Sequence, residues 1–308
     1  MQDERIENGI LYVTGDEGEL MVFSSSHLDK CVKIFNETDF GNATLGFVYS
    51  SQGYNEKNLG VLSKIKARKL IINPAIIEDY SGLYSQDTLE YLRITSDSDK
   101  TEIDFAKLPA LKRFEGFWSK KIYNLFSSQS IAEMTLMDYK PKRSDLAELA
   151  GMINLEVLAL HYTNVKSLQG LEKLNKLRKL TLGYDKAITD LSIPGITSLP
   201  VKELKIWSCN KINFDSIKIF DKVKRLDLNS VGEIKSLENI IAVLPSLEEL
   251  VFEESKLTEG NNLYFLKHPS LKKITIDDKK HYLLKETEIN DALSDPAVKA
   301  ALLKKHNK

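Results

Sequence analysis

The side chains able to do chemistry in this chain are few and scattered. Five histidines, His27, His161, His268, His281 and His306, and two cysteines, Cys31 and Cys209, form no cluster in sequence. No Cys-x-x-Cys pair occurs, so a structural zinc site is not expected. The Gly-x-x-x-x-Gly-Lys phosphate loop, the Gly-x-Ser-x-Gly nucleophile turn and the His-Glu-x-x-His zinc helix are all missing. Two acidic pairs, Glu253-Glu254 and Asp277-Asp278, could hold a cation if folding set them side by side; a solvated acidic face is the alternative. Near the N-terminus, Asp16, Glu17, His27, Asp29 and Asp39 offer polar groups at no catalytic spacing. The expectation is a non-enzymatic protein with no cofactor and no metal.

What must position any site is a repeat. Leu-x-x-Leu-x-Leu occurs at Leu155, Leu158 and Leu160 and again at Leu177, Leu180 and Leu182. Ten copies align, with first residues Ala67, Leu89, Leu111, Ile131, Leu155, Leu177, Val201, Val223, Leu247 and Leu271. Successive copies begin about 20–24 residues apart, a register chance does not keep over so many copies. The fourth and sixth positions stay apolar except in the third copy, where Gly116 follows Phe114. Apolar residues alternating with period two predict a strand with one buried face. Val165, Leu168, Leu171 and Leu174, every third residue, predict a short helical return path. One such coil cannot bury its own apolar face. Stacked coils pair their strands in parallel and share one core.

The pattern resembles the leucine-rich repeat family, and with Thr163-Asn164-Val165 after the strand it resembles the bacterial, internalin-like class, whose repeats run to about 22 residues. The resemblance covers about residues 67–276. It implies an α/β solenoid, a horseshoe with a parallel sheet on its concave face. It also implies an inward polar residue at the ninth position, where this chain has Thr163 and Cys209, with Tyr139 and Asp185 elsewhere. Cys209 is therefore expected at a structural corner and not as a nucleophile.

The third and fifth positions should point outward from the sheet, with the seventh and eighth just past the strand. Those last two read Phe117-Trp118, Met137-Asp138, His161-Tyr162, Gly183-Tyr184 and Trp207-Ser208 in the middle copies. Both tryptophans of the chain fall here. At about 4.8 Å per strand, Phe117 to Trp207 should span roughly 20 Å. Arg93, Arg113 and Arg225 are expected on one border and Glu249 with the acidic pairs on the other. Such a stripe suits a protein-binding site, with aromatics giving affinity and rim charges steering association. Aromatics stacked along a solenoid edge, stabilising it alone, are the competing explanation.

Residues 1–62 fit the repeat poorly. Ile10–Val13 and Leu20–Phe23 predict a hairpin, and Cys31–Phe35 and Leu45–Tyr49 are further strand candidates, so the segment reads as a β-rich cap or small domain. Residues 63–284 form the repeat array. Residues 285–308 hold a C-terminal capping helix, announced by Ser294-Asp295-Pro296.

The bulk properties narrow the function classes. Of 308 residues, 42% are hydrophobic and 28% charged, enough for a large core. A net charge of −1 argues against nucleic acid or an anionic membrane as the partner. Two distant cysteines, the absence of a basic-then-apolar leader and the absence of an apolar run of about 20 residues suit a soluble, cytoplasmic protein. The function expected is binding of a protein partner, of unknown identity, on the concave face, in an inhibitor/immunity or adaptor role. The alternative is an enzyme or small-ligand-binding protein with its site in the N-terminal segment.

Overall fold

The computed structural model describes residues 3–15, 18–45, 53–73, 76–95 and 101–306. The chain divides into two compact units, Met1–Met137 and Asp138–Lys308.

The first unit opens with three antiparallel strands, Asp3–Glu7, Ile10–Gly15 and Gly18–Phe23, as the hairpin signal predicts. The edge strand is exposed along its whole length and carries Asp3, Glu4, Arg5 and Glu7. Charge on a free strand edge discourages pairing with another chain. The Gly18–Phe23 strand then pairs in parallel with Asn42–Leu45, one repeat length further on, with Met21 facing Ala43. Between them the strand candidate at residues 31–35 is instead part of a helix, Leu28–Thr38. Cys31 and Phe35, four residues apart, share one face and are at most 2% exposed, whereas Val32 and Ile34 are only partly covered. Burial with a period of four, not two, decided the element. Of the candidate Leu45–Tyr49, only Leu45 is described, at the end of the Asn42–Leu45 strand.

Parallel strands Lys69–Ile72, Tyr91–Ile94, Arg113–Phe117 and Glu133–Met137 follow. At Gly116 the repeat lacks its aliphatic residue, and the ring of Phe114 takes the space. A Cβ on Gly116 would lie 2.8 Å from Phe114 Cζ. Phe114 is fully buried, edge-on to Phe105 at 4.7 Å.

The second unit is more regular. Val157–His161, Lys179–Gly183, Glu203–Trp207, Arg225–Asn229, Glu249–Glu253 and Lys273–Ile276 pair in parallel. Their fourth positions stand in one register, Leu158, Leu180, Leu204, Leu226, Leu250 and Ile274, all fully buried. Burying each such side chain contributes about 1.5–3 kcal/mol. The return path is as spaced in sequence. Val165, Leu168, Leu171 and Leu174 are at most 1% exposed, around a short 3₁₀ turn, Leu171–Lys173.

The last strand would leave an open edge. The helix Glu286–Ser294 closes it with side chains. Asn290 Oδ1 accepts from the Ile274 N–H and its Nδ2 donates to the Ile274 carbonyl, both at 2.9 Å, as a neighbouring strand would. Glu286 accepts from the Ile276 N–H at 3.0 Å. The helix announced by the Ser-Asp-Pro motif, Pro296–His306, begins where expected, capped by Asp295 on the Ala297 N–H at 2.8 Å. It contains no buried residue, so contact with the last strand belongs to the helix before it.

Candidate functional site

After each strand from Glu133–Met137 to Glu249–Glu253, but not after the last, Lys273–Ile276, the chain turns through a left-handed residue. Asp138, Tyr162, Tyr184, Ser208, Ser230 and Glu254, all eighth positions, have φ between 50° and 58°. The kink lets each of the first five donate its N–H to the seventh-position carbonyl of the next copy: Tyr162 to Gly183 at 3.1 Å, Tyr184 to Trp207 at 2.7 Å, Ser208 to Asn229 at 2.9 Å. Glu254 donates to the Asp277 carboxylate instead, at 3.1 Å.

Beneath this row the ninth-position side chains form a polar ladder. Thr163 Oγ1 donates to the Asp185 carboxylate and accepts the Val165 N–H at 3.1 Å. Asp185 accepts the Ala187 N–H at 2.7 Å, and its own N–H points at Cys209 Sγ at 3.4 Å. Cys209 is fully buried, and burial pushes its thiol up to about 11. A thiol held protonated is a corner group and a poor nucleophile.

The aromatic residues lie on top of that ladder. Tyr162 and Tyr184 stack face to face, centroids 4.9 Å apart and planes 12° apart, yet remain 51% and 46% exposed. His161 lies over the next strand, where Gly183 makes room; a Cβ there would be 2.2 Å from His161 Nδ1. The ring sits 6.2 Å from Tyr184, and burial lowers its pKa, favouring the neutral imidazole. Trp207 is half-buried, its Nε1–H donating to Asp227 at 3.0 Å and its face covered by Lys205 Nζ at 5.5 Å. Sequence reading missed the His161–Gly183 fit. A histidine followed one repeat later by glycine in the same column was its signal.

The arginines expected at a rim are engaged internally. Arg225 and Glu249, assigned to opposite borders, are cross-strand neighbours and form an ion pair, with Lys273 at 3.8 Å from the same carboxylate. Both hold third positions in adjacent copies, which is why they meet. In the first unit Arg113 pairs with Glu115 and lies 3.7 Å from Glu133, while Arg93 lies 3.6 Å from Glu115. Arg113 also covers the Tyr91 ring at 4.6 Å. Phe117 and Trp118 there are half-buried, and the Trp118 N–H donates to the Met137 carbonyl at 2.8 Å without a left-handed backbone.

The polar residues of the N-terminal segment do not converge. Asp16 and Glu17 lie outside the described residues. His27 is exposed and bonds Ser26 at 2.9 Å. Asp29 and Asp39 stand at opposite ends of the Leu28–Thr38 helix, 3.6 Å from Lys64 and 3.7 Å from Arg68. Among the described residues no group of three His, Cys, Asp or Glu side chains could hold a metal. No described helix is long and apolar enough to cross a membrane.

Parallel strands one repeat apart, short return turns and a polar corner ladder define a leucine-rich repeat solenoid. Solved structures bear out that fold. A leucine-rich repeat protein of Leptospira interrogans matches with a TM-score of 0.53 at 19% identity, over 84% of this chain and 72% of that one. A chain of the Drosophila Toll–Spätzle complex matches with a TM-score of 0.54 at 12% identity, over 92% of this chain and 40% of that one. An internalin of Listeria monocytogenes is similar at 16% identity, over 77% of this chain and 82% of that one, with a TM-score of 0.43. No family profile and no curated relative matches the chain.

Proposed function

We propose that this protein is a non-catalytic binding module for another protein, and that His161, Tyr162, Tyr184 and Trp207 form the centre of its binding surface. The observation that carries the reading is the backbone under the two tyrosines. A left-handed conformation costs a side-chain-bearing residue about 1–2 kcal/mol, least for Asn or Asp. The other eighth positions of this row hold Asp138, Ser208, Ser230 and Glu254. Placing two stacked, half-exposed tyrosines there accepts strain to present aromatic surface, a signature of functional positions. Exposed tyrosine and tryptophan are the residues interfaces use most for affinity. In the first unit Phe117 and Trp118, beside Arg93 and Arg113, are the corresponding candidates.

The test is affinity capture with the intact chain beside Tyr162→Asn/Tyr184→Asn and Trp207→Ala variants, with Tm measured for each. A partner held by the native chain and lost by variants of unchanged Tm is the expected result. Equal capture by all three chains would refute the surface, and lower Tm with normal capture would make the stack purely structural.

A further inference from the structure

The exposed tyrosine stack begins a ridge whose chemistry changes along the second unit. Down the seventh and eighth columns the ridge runs from Tyr162, Tyr184 and Trp207, through Ser208, Asn229 and Ser230, to Glu253, Glu254, Asp277 and Asp278. Strands are about 4.8 Å apart, which puts Glu253 about 10 Å and Asp277 about 14 Å beyond Trp207.

Charge on the neighbouring strand face is compensated. Lys179 lies 2.8 Å and Lys205 3.3 Å from Glu203, and Arg225 and Lys273 share Glu249. The acidic end of the ridge is not. Asp277 lies 3.6 Å from Lys279, but Glu253, Glu254 and Asp278 have no ion-pair partner among the described residues. Glu254 and Asp278 are exposed, and Glu253 is half-buried. Lys256, two residues past Glu254, is paired with Glu233 at 3.0 Å, and Lys280, two residues past Asp278, adds one further cation, so the four carboxylates keep the balance negative.

We infer, resting on the binding role proposed above, that this ridge takes an extended segment of a protein partner carrying an aromatic or large aliphatic residue with lysine or arginine about three to four positions away. The spacing follows from geometry: an extended chain advances about 3.3 Å per residue, so the roughly 10–14 Å between Trp207 and the acids is about three to four residues. The apolar residue lies against the Tyr162–Tyr184 stack and Trp207. The cation meets Glu253 and Asp277, whose charge no lysine or arginine of this face fully neutralises. A nucleic-acid backbone would meet the wrong sign here, and an acidic peptide would be repelled.

The experiment is selection of a displayed random dodecapeptide library on the intact chain, with counter-selection on the Tyr162→Asn/Tyr184→Asn variant. Asn is at ease in left-handed backbone, so that variant keeps the corner while deleting the rings. Selected peptides are expected to share the aromatic-and-basic spacing. Their Kd is expected to rise about ten-fold or more with Glu253→Lys/Asp277→Lys, and to rise with salt. Both variants are checked by thermal melting. Peptides that lack basic residues, or that bind the charge-reversed chain equally well, would overturn the inference and leave the protein-binding role standing. So would failure to enrich any peptide over the tyrosine-deleted variant. The broader role falls only if the intact chain also fails to capture a partner in a way that depends on Tyr162, Tyr184 or Trp207.

Discussion

Trp118 and Tyr184 hold the same repeat position and make the same N–H bond to the next strand, yet their backbones differ in sign at φ. In the second unit the left-handed corner recurs from Asp138 to Glu254, each corner polar or aromatic, with Tyr162, Tyr184 and Glu254 exposed and Asp138, Ser208 and Ser230 half-buried. In the first unit the described copies spend their unusual residues inward. Phe114 fills the void over Gly116, and Gln86, 1% exposed, accepts the Ala67 N–H and donates to the Ile65 carbonyl. Arg113, Glu115 and Tyr91 form one packed charge cluster. Regular copies put equivalent side chains in columns, and a column can become a surface. Irregular copies use the same positions to satisfy one another.

That contrast can be broken most forcefully in the core. Phe114→Ala should cost about 3–5 kcal/mol in urea denaturation, because it empties two repeat positions at once. Gly116→Leu alone should also destabilise, by overpacking against the Phe114 ring. Phe114→Leu/Gly116→Leu, which restores the ordinary repeat, should recover much of the loss. If the double variant is as unstable as the sum of the singles, the first unit's irregularity is not a local exchange of volume.

Gly183→Ala is the matching test in the second unit. The added methyl meets the His161 ring and should cost about 1–3 kcal/mol while dispersing the Tyr162–Tyr184 stack, read by near-UV circular dichroism. An unchanged spectrum would mean the stack does not depend on the histidine beneath it.

Cys209 sharpens the comparison through pH. Its folded value, about 11, lies above the ordinary 9.0. Folding therefore favours the protonated thiol, and this contribution is complete below pH 9 and lost as pH rises towards 11. Cys209→Ala should flatten that part of the stability profile. The native thiol should resist alkylation at neutral pH, and rapid labelling would place it outside the corner ladder.

The smallest effect separates the two aromatic corners. Tyr184→Asn should change stability by no more than about 0.5 kcal/mol, since relief of left-handed strain offsets the lost stack. Trp118→Asn gains no such relief and should cost about 1–2 kcal/mol of buried apolar contact. Equal losses would mean that backbone strain does not distinguish the two corners.

Much of the scaffold was legible from spacing. Each of the ten copies carries a strand that begins two residues after its first position, from Lys69 after Ala67 to Lys273 after Leu271. The hairpin at Ile10–Phe23 and the apolar return path were equally plain. The Leu28–Thr38 helix was not, because Val32 and Ile34 made a short window look alternating while burial followed Cys31 and Phe35. The pairing of the arginines was hidden for a different reason. Arg93 and Arg225 meet carboxylates a full repeat away in neighbouring copies, and only strand register shows that Arg225 faces Glu249.

The sequence by itself determined the period, the strands and the columns, because alternation and recurrence are local properties of the chain. Tertiary structure decided what each column presents. Stacking the copies gave His161 its seat over Gly183, tied Arg225 to Glu249 and buried Cys209, and it left Tyr162 and Tyr184 half in solvent on a left-handed corner. Exposure, pairing and strain depend on atoms contributed by the adjacent copy, and no single repeat contains them.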